Sequence, residues 1–72
     1  MSTEQLVKMV NQIATNNSHQ TQQESVALIV NHLTKFWALS MKKQIIDYAK
    51  QDGKDLLPLA MLSINELAKK YQ

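Results

Sequence analysis

The sequence predicts an all-α fold, a compact bundle of about four short helices. Three observations predict it. The 72 residues contain one Gly and one Pro, Gly53 and Pro58. The β-branched residues do not alternate with polar ones, so strand and hairpin signals are absent. Apolar residues recur at helical spacing in four separate segments. The length fits one domain, residues 1–72, and no more.

The first helix is expected over about Thr3 to Asn16. Ser2 followed by Gln5 reads as a capping box, in which each residue satisfies the other's free backbone donor. Leu6, Met9, Val10 and Ile13 then fall within about 100° of one another. Asn16 and Asn17 suit a C-terminal cap. The polar stretch Asn16 to Gln23 reads as a loop. Thr21 and Glu24 form a second capping box and open the next helix. Val26, Ile29, Val30, Leu33 and Trp37 share its apolar stripe, with His32 and Phe36 on the border. This is the strongest amphipathic pattern in the chain.

Ser40 is the expected cap of a third helix over about Met41 to Gln51. Met41, Ile45, Tyr48 and Ala49 give its apolar side, and Ile46 lies toward the edge. Gly53 is a natural left-handed stop. Pro58 favours the first turn of a fourth helix, where its missing N–H is not needed. Leu57 then becomes the N-cap, a residue type with no oxygen to offer. Leu56 and Met61 have the spacing of a hydrophobic staple. Ala60, Ile64, Leu67 and Tyr71 form one stripe, flanked by Met61 and Ala68. Leu59 and Leu62 point elsewhere, so this helix carries a second apolar face. Either the core stripe is wide or that face docks on something.

Size and composition narrow the function. A chain this short buries only about 60% of its unfolded surface and is marginal unless supported. There is no cysteine, so disulfides, thiolate zinc sites, iron–sulfur ligation and thiol nucleophiles are excluded. A partner protein or a well-packed helical core must supply the support. Net charge is +2, from eight Lys against six acidic residues, with no Arg. Nucleic-acid binders rely on Arg forks and clustered basic residues, and these lysines are dispersed. No apolar run approaches the roughly 20 residues of a membrane span. The first residues lack the basic start and apolar core of a signal peptide, so a cytoplasmic location is expected.

No constellation for catalysis emerges. Neither His19 nor His32 has a second His, Asp or Glu at helical spacing to make a metal pair. His32, one turn before Phe36, reads as a structural residue. GxGxxG, P-loop, GxSxG and HExxH motifs are absent. Asp47, Asp52 and Asp55 lack the spacing of a calcium loop. No metal, cofactor or catalytic residue is expected. The informative feature is Phe36-Trp37. The stripe geometry places Trp37 toward the core, while Phe36, off-centre, suits a partner contact, since interfaces are rich in aromatics and Met. Lys42 and Lys43 would supply a polar rim.

The segment Asn31-His32-Leu33-Thr34-Lys35-Phe36-Trp37-Ala38-Leu39-Ser40-Met41-Lys42 resembles the central motif of the delta subunits of NAD-dependent formate dehydrogenases: a His, Phe-Trp four residues on, then Met and a basic residue. Leu6-Val7-Lys8-Met9-Val10-Asn11-Gln12-Ile13 is similar to that family's opening helix. Leu56-Leu57-Pro58-Leu59 resembles its Leu-Asp-Pro-Leu step into the last helix. Three positions depart from the family pattern. Leu39 stands where the family commonly has Pro, Leu57 where it has Asp, and Lys42 where it often has Arg.

The resemblance implies a soluble formate dehydrogenase containing molybdenum or tungsten. Its alpha subunit carries the pterin cofactor and iron–sulfur clusters, and beta and gamma pass electrons to NAD. The delta subunit is an accessory piece tied to assembly, stability or cofactor insertion. The expected partner is therefore the catalytic alpha subunit. The residues expected to meet it are Phe36, Trp37, Met41, Lys42, Lys43, Leu59 and Leu62. Thr21, Glu24, His32, Gly53 and Pro58 are expected to be structural. Two other readings of the residues stay open: a small helix-turn-helix DNA-binding protein, and a homodimer pairing through Leu59 and Leu62.

Overall fold

A computed structural model describes residues 1–71. It has four α-helices in chain order: α1 (Thr3–Asn16), α2 (Gln22–Phe36), α3 (Leu39–Gln51) and α4 (Pro58–Ala68). A 3₁₀ turn, Lys69–Tyr71, continues α4. No strand occurs among the described residues.

The first two helices start where their side chains can replace missing backbone partners. Ser2 Oγ accepts from Gln5 N–H at 3.2 Å, and Gln5 Oε1 accepts from Ser2 N–H at 3.1 Å. Thr21 and Glu24 repeat the exchange on α2 at 3.3 and 3.4 Å. Each such cap stabilises its helix by about 1 kcal/mol.

The third helix begins earlier than its expected cap. Ser40 lies inside the first turn, and Ala38 is the N-cap, with no side-chain bond. The physical reason is the corner before it. Trp37 and Ala38 are both extended, at φ −92°, ψ 136° and φ −63°, ψ 153°. Those two residues complete the turn out of α2, so helical geometry resumes at Leu39.

Gly53 ends α3 as expected. Its φ is +61°, and its N–H bonds to the Tyr48 carbonyl at 3.0 Å. A Cβ there would fall onto the Met61 ε-methyl. The left-handed backbone favours glycine here, while the flexible end of Met61 could move aside for a Cβ. Pro58 occupies the first turn of α4 after an uncapped Leu57.

The core joins all four helices. Leu6 and Val10, Ile29 and Leu33, Ile45, and Ala60, Ile64 and Leu67 have no exposed surface. The apolar face of α1 is turned a little from expectation, toward Val7 and Ala14, with Met9 and Ile13 half-buried. The centre of the bundle is α4. It pairs most extensively with α2 and also packs on α3 and α1. A helix with several neighbours needs apolar residues on several sides. That accounts for much of its second apolar face: Leu59 is half-buried against the core, while Leu62 stays exposed. Ser25 on α2 and Ser63 on α4 are also buried. Their hydroxyls are satisfied by Gln20 Oε1 at 3.3 Å and by the Leu59 carbonyl at 2.8 Å, as buried polar groups require.

Candidate functional site

The α2–α3 corner separates two adjacent aromatic side chains. Phe36 is the last residue of α2 and Trp37 the first extended one. The change in backbone sends them opposite ways. Trp37 is 5% exposed and belongs to the core, whereas Phe36 is 72% exposed. The His32 ring lies one turn back, 5.0 Å from the Phe36 ring and tilted by 52°. Leu28, another turn back, is 44% exposed, and Leu39, opening α3, is 50% exposed. Residues four apart line one helix face, so Leu28, His32 and Phe36 form a ridge that ends beside Leu39. His32 thus supports Phe36 at the surface and takes no part in the core.

The two adjacent lysines that follow Met41 also part company. Lys43 is exposed. Lys42 is 8% exposed, and its ammonium donates to the Thr34 carbonyl at 3.4 Å. It also lies 5.6 Å from the centre of the Tyr71 ring. Thr34 is in the last turn of α2, where carbonyls lack helical partners and the helix dipole is negative. A cation there is favourable, and the ring face adds to it. Lys42 is therefore not a polar rim. It closes the C-terminus of α2 and holds the 3₁₀ turn, and Lys70 donates to Thr34 Oγ1 at 3.4 Å beside it.

Of the remaining expected contacts, Met41 is half-buried on the core. Leu62 sits in an open groove of about 650 Å³ between α2 and α4, with Val26, Ala27 and Val30. The seven residues expected at the interface thus do not form one surface. Phe36 and Lys43 are exposed at the corner, and Leu62 is exposed at the groove. Trp37, Met41, Lys42 and Leu59 lie wholly or partly beneath the surface. Among the described residues no group of three or more His, Asp or Glu is placed to hold a metal ion. Among the described residues no helix is long and apolar enough to cross a membrane.

Two positioning contacts gave no sequence signal. Asn11 on α1 donates through Nδ2 to the Asp55 carbonyl at 2.8 Å and accepts at Oδ1 from Leu57 N–H at 2.9 Å. Gln44 on α3 donates to Thr3 Oγ1 at 2.7 Å. Both join segments more than forty residues apart, so no local pattern could reveal them.

No curated protein and no solved structure matches the chain. The family model described as the NADH-dependent formate dehydrogenase delta subunit FdsD matches residues 5–64. That span holds the Asn11 clamp, the Phe36-Trp37 corner, Lys42 and the Pro58 helix start. The chain belongs to the formate dehydrogenase delta subunit family.

Proposed function

We propose that the chain is a non-catalytic accessory subunit of a cytoplasmic formate dehydrogenase, docking on the catalytic alpha subunit to support assembly, stability or cofactor insertion. Family membership supports the complex. The observation that carries docking is Phe36, a large aromatic side chain left 72% exposed. It stands in the same segment that resembles the family's central motif. An aromatic held out of a core that takes in its neighbour Trp37 is the kind of anchor on which interfaces depend.

The test is co-expression of this chain with the other subunits of its complex. The chain should co-purify with the alpha subunit, and its omission should lower the yield or cofactor content of active enzyme. A complex that assembles, fills with cofactor and turns over formate equally well without the chain would overturn the proposal. So would formate turnover by the isolated chain.

A further inference from the structure

We infer that the α2–α3 corner docks on an apolar pocket ringed by carboxylates on the surface of a partner subunit. The inference rests on the accessory-subunit reading and specifies the chemistry of the surface that receives the chain.

The argument begins with charge. No Asp or Glu falls between Glu24 and Asp47. All of α2 beyond its first turn, the corner and most of α3 are therefore free of carboxylates. Elsewhere the six acidic residues are dispersed with the lysines, and Glu66 pairs with Lys69 at 2.9 Å. Within the acid-free segment Lys42 is turned inward onto Thr34, which leaves Lys35 and Lys43 as its exposed ammonium groups.

Those two lysines flank the exposed apolar ridge. Lys35 is one turn beyond His32 on α2, and Lys43 is one turn beyond Leu39 on α3. Helical spacing of three or four residues places each beside a ridge member. The result is an apolar centre of Phe36, Leu39 and Leu28 with Lys35 and Lys43 beside it, and the nearest carboxylates along the chain, Glu24 and Asp47, lie at its far ends, one turn beyond Leu28 and Lys43. Apolar centres with charged rims are the anatomy of a protein interface. The complement of this rim is a ring of Asp or Glu, and that of Phe36 is an apolar pocket. Two lysines without an arginine give weak, salt-sensitive pairs that select and steer a partner more than they hold it. Phe36 supplies the anchor.

The test uses the full chain and a formate dehydrogenase complex purified without it. Binding is measured from about 50 to about 500 mM salt, a range over which exposed charges become screened. The K35E/K43E variant should bind about tenfold or more weakly at low salt. K35Q/K43Q should bind with intermediate affinity and lose most of the salt dependence. K8E/K54E, carrying the same charge change at exposed sites outside the corner, should bind nearly as wild type does. Both lysine pairs are on the surface, and helical circular dichroism checks that each of the three variants is folded.

Wild-type binding that is independent of salt and unchanged in K35E/K43E would overturn the inference while leaving the accessory-subunit reading intact. Absence of wild-type binding to the complex would overturn both. Corner-dependent binding to anionic phospholipid vesicles or duplex DNA, with binding to the complex unaffected by the corner variants, would also overturn the inference.

Discussion

Asn11, in the middle of α1, accepts a hydrogen bond from the backbone N–H of Leu57 at 2.9 Å. Its amide also donates to the Asp55 carbonyl at 2.8 Å. One side chain thus fixes both sides of the short segment that leads into α4. This explains how the central helix starts accurately without a cap of its own. The amide is suited to the task because it carries a donor and an acceptor together. Asn11→Ala should lower stability by about 1–2 kcal/mol, the value of two partly exposed hydrogen bonds. Asn11→Asp keeps the acceptor for Leu57 but turns a carboxylate oxygen toward the Asp55 carbonyl in place of the donor, so it should cost at least as much as Asn11→Ala. Thermal unfolding followed by circular dichroism checks the order. Each 1 kcal/mol corresponds to about 4–8 °C in a domain of this size.

Leu57 itself is open to improvement. Its backbone has the extended geometry of an N-cap, φ −64° and ψ 151°, and its side chain is 42% exposed. Aspartate in that position would accept from the Ala60 N–H, two residues after Pro58, and would complement the positive end of the helix dipole. Leu57→Asp should therefore raise stability by about 1 kcal/mol. The main-chain bond to Asn11 is unaffected, because it uses the Leu57 N–H. Chemical denaturation should show a higher midpoint with an unchanged slope, the signature of a stability change alone. A lower midpoint would mean that the exposed leucine contributes packing that its accessibility conceals.

Lys42 shows how far the sequence could be read. Helix number, both capping boxes, Gly53 and Pro58 were legible because each is a local device, decided by residues within a few positions of one another. The stripe geometry also puts Phe36 outside and Trp37 inside, and the burial of Trp37 goes against the expectation that it meets a partner. The inward course of Lys42 did not. It depends on Thr34 of α2 and Tyr71 of the final turn meeting at one place, and that is a tertiary fact. Ala38 as the start of α3 was hidden for a related reason. The tight corner decides where the helix begins, and it overrides the cap preference of Ser40. Leu59, expected to face a partner, is half-buried against the core, because a central helix with three neighbours has no single apolar face.

The charge and the stem of Lys42 make separable contributions. Lys42→Met keeps most of the buried aliphatic length and removes the ammonium from the Thr34 carbonyl and the Tyr71 ring. It should cost about 0.5–2 kcal/mol, the range for a cation at a helix C-terminus with a ring contact. Lys42→Glu should cost more, since it places a negative charge at the negative end of α2 and buries it without a partner. Urea unfolding of the two variants checks this order. Hydrogen exchange at the last turn of α2 and in Lys69–Tyr71 should rise in both. Equal stability of Lys42→Glu and the wild type would refute the assigned role.

The adjacent aromatics supply the sharpest contrast between folding and docking. Trp37→Ala empties a buried site and should cost about 3–5 kcal/mol. That is comparable to the whole stability expected of so small a domain, so the variant should be largely unfolded at 25 °C. Phe36→Ala removes a ring that is mostly in water and loses little beyond its contact with His32, about 0.5–1 kcal/mol. Its helical signal and cooperative unfolding should therefore persist. If Phe36 anchors the complex, the same variant should bind the other subunits at least about thirtyfold more weakly, equivalent to about 2 kcal/mol at an interface hot spot. Measuring both properties on both variants separates the two functions of the motif. A Phe36→Ala chain that is stable and still binds at wild-type strength would move the docking surface away from the corner. The exposed leucine of the α2–α4 groove, Leu62, would then be the next position to substitute.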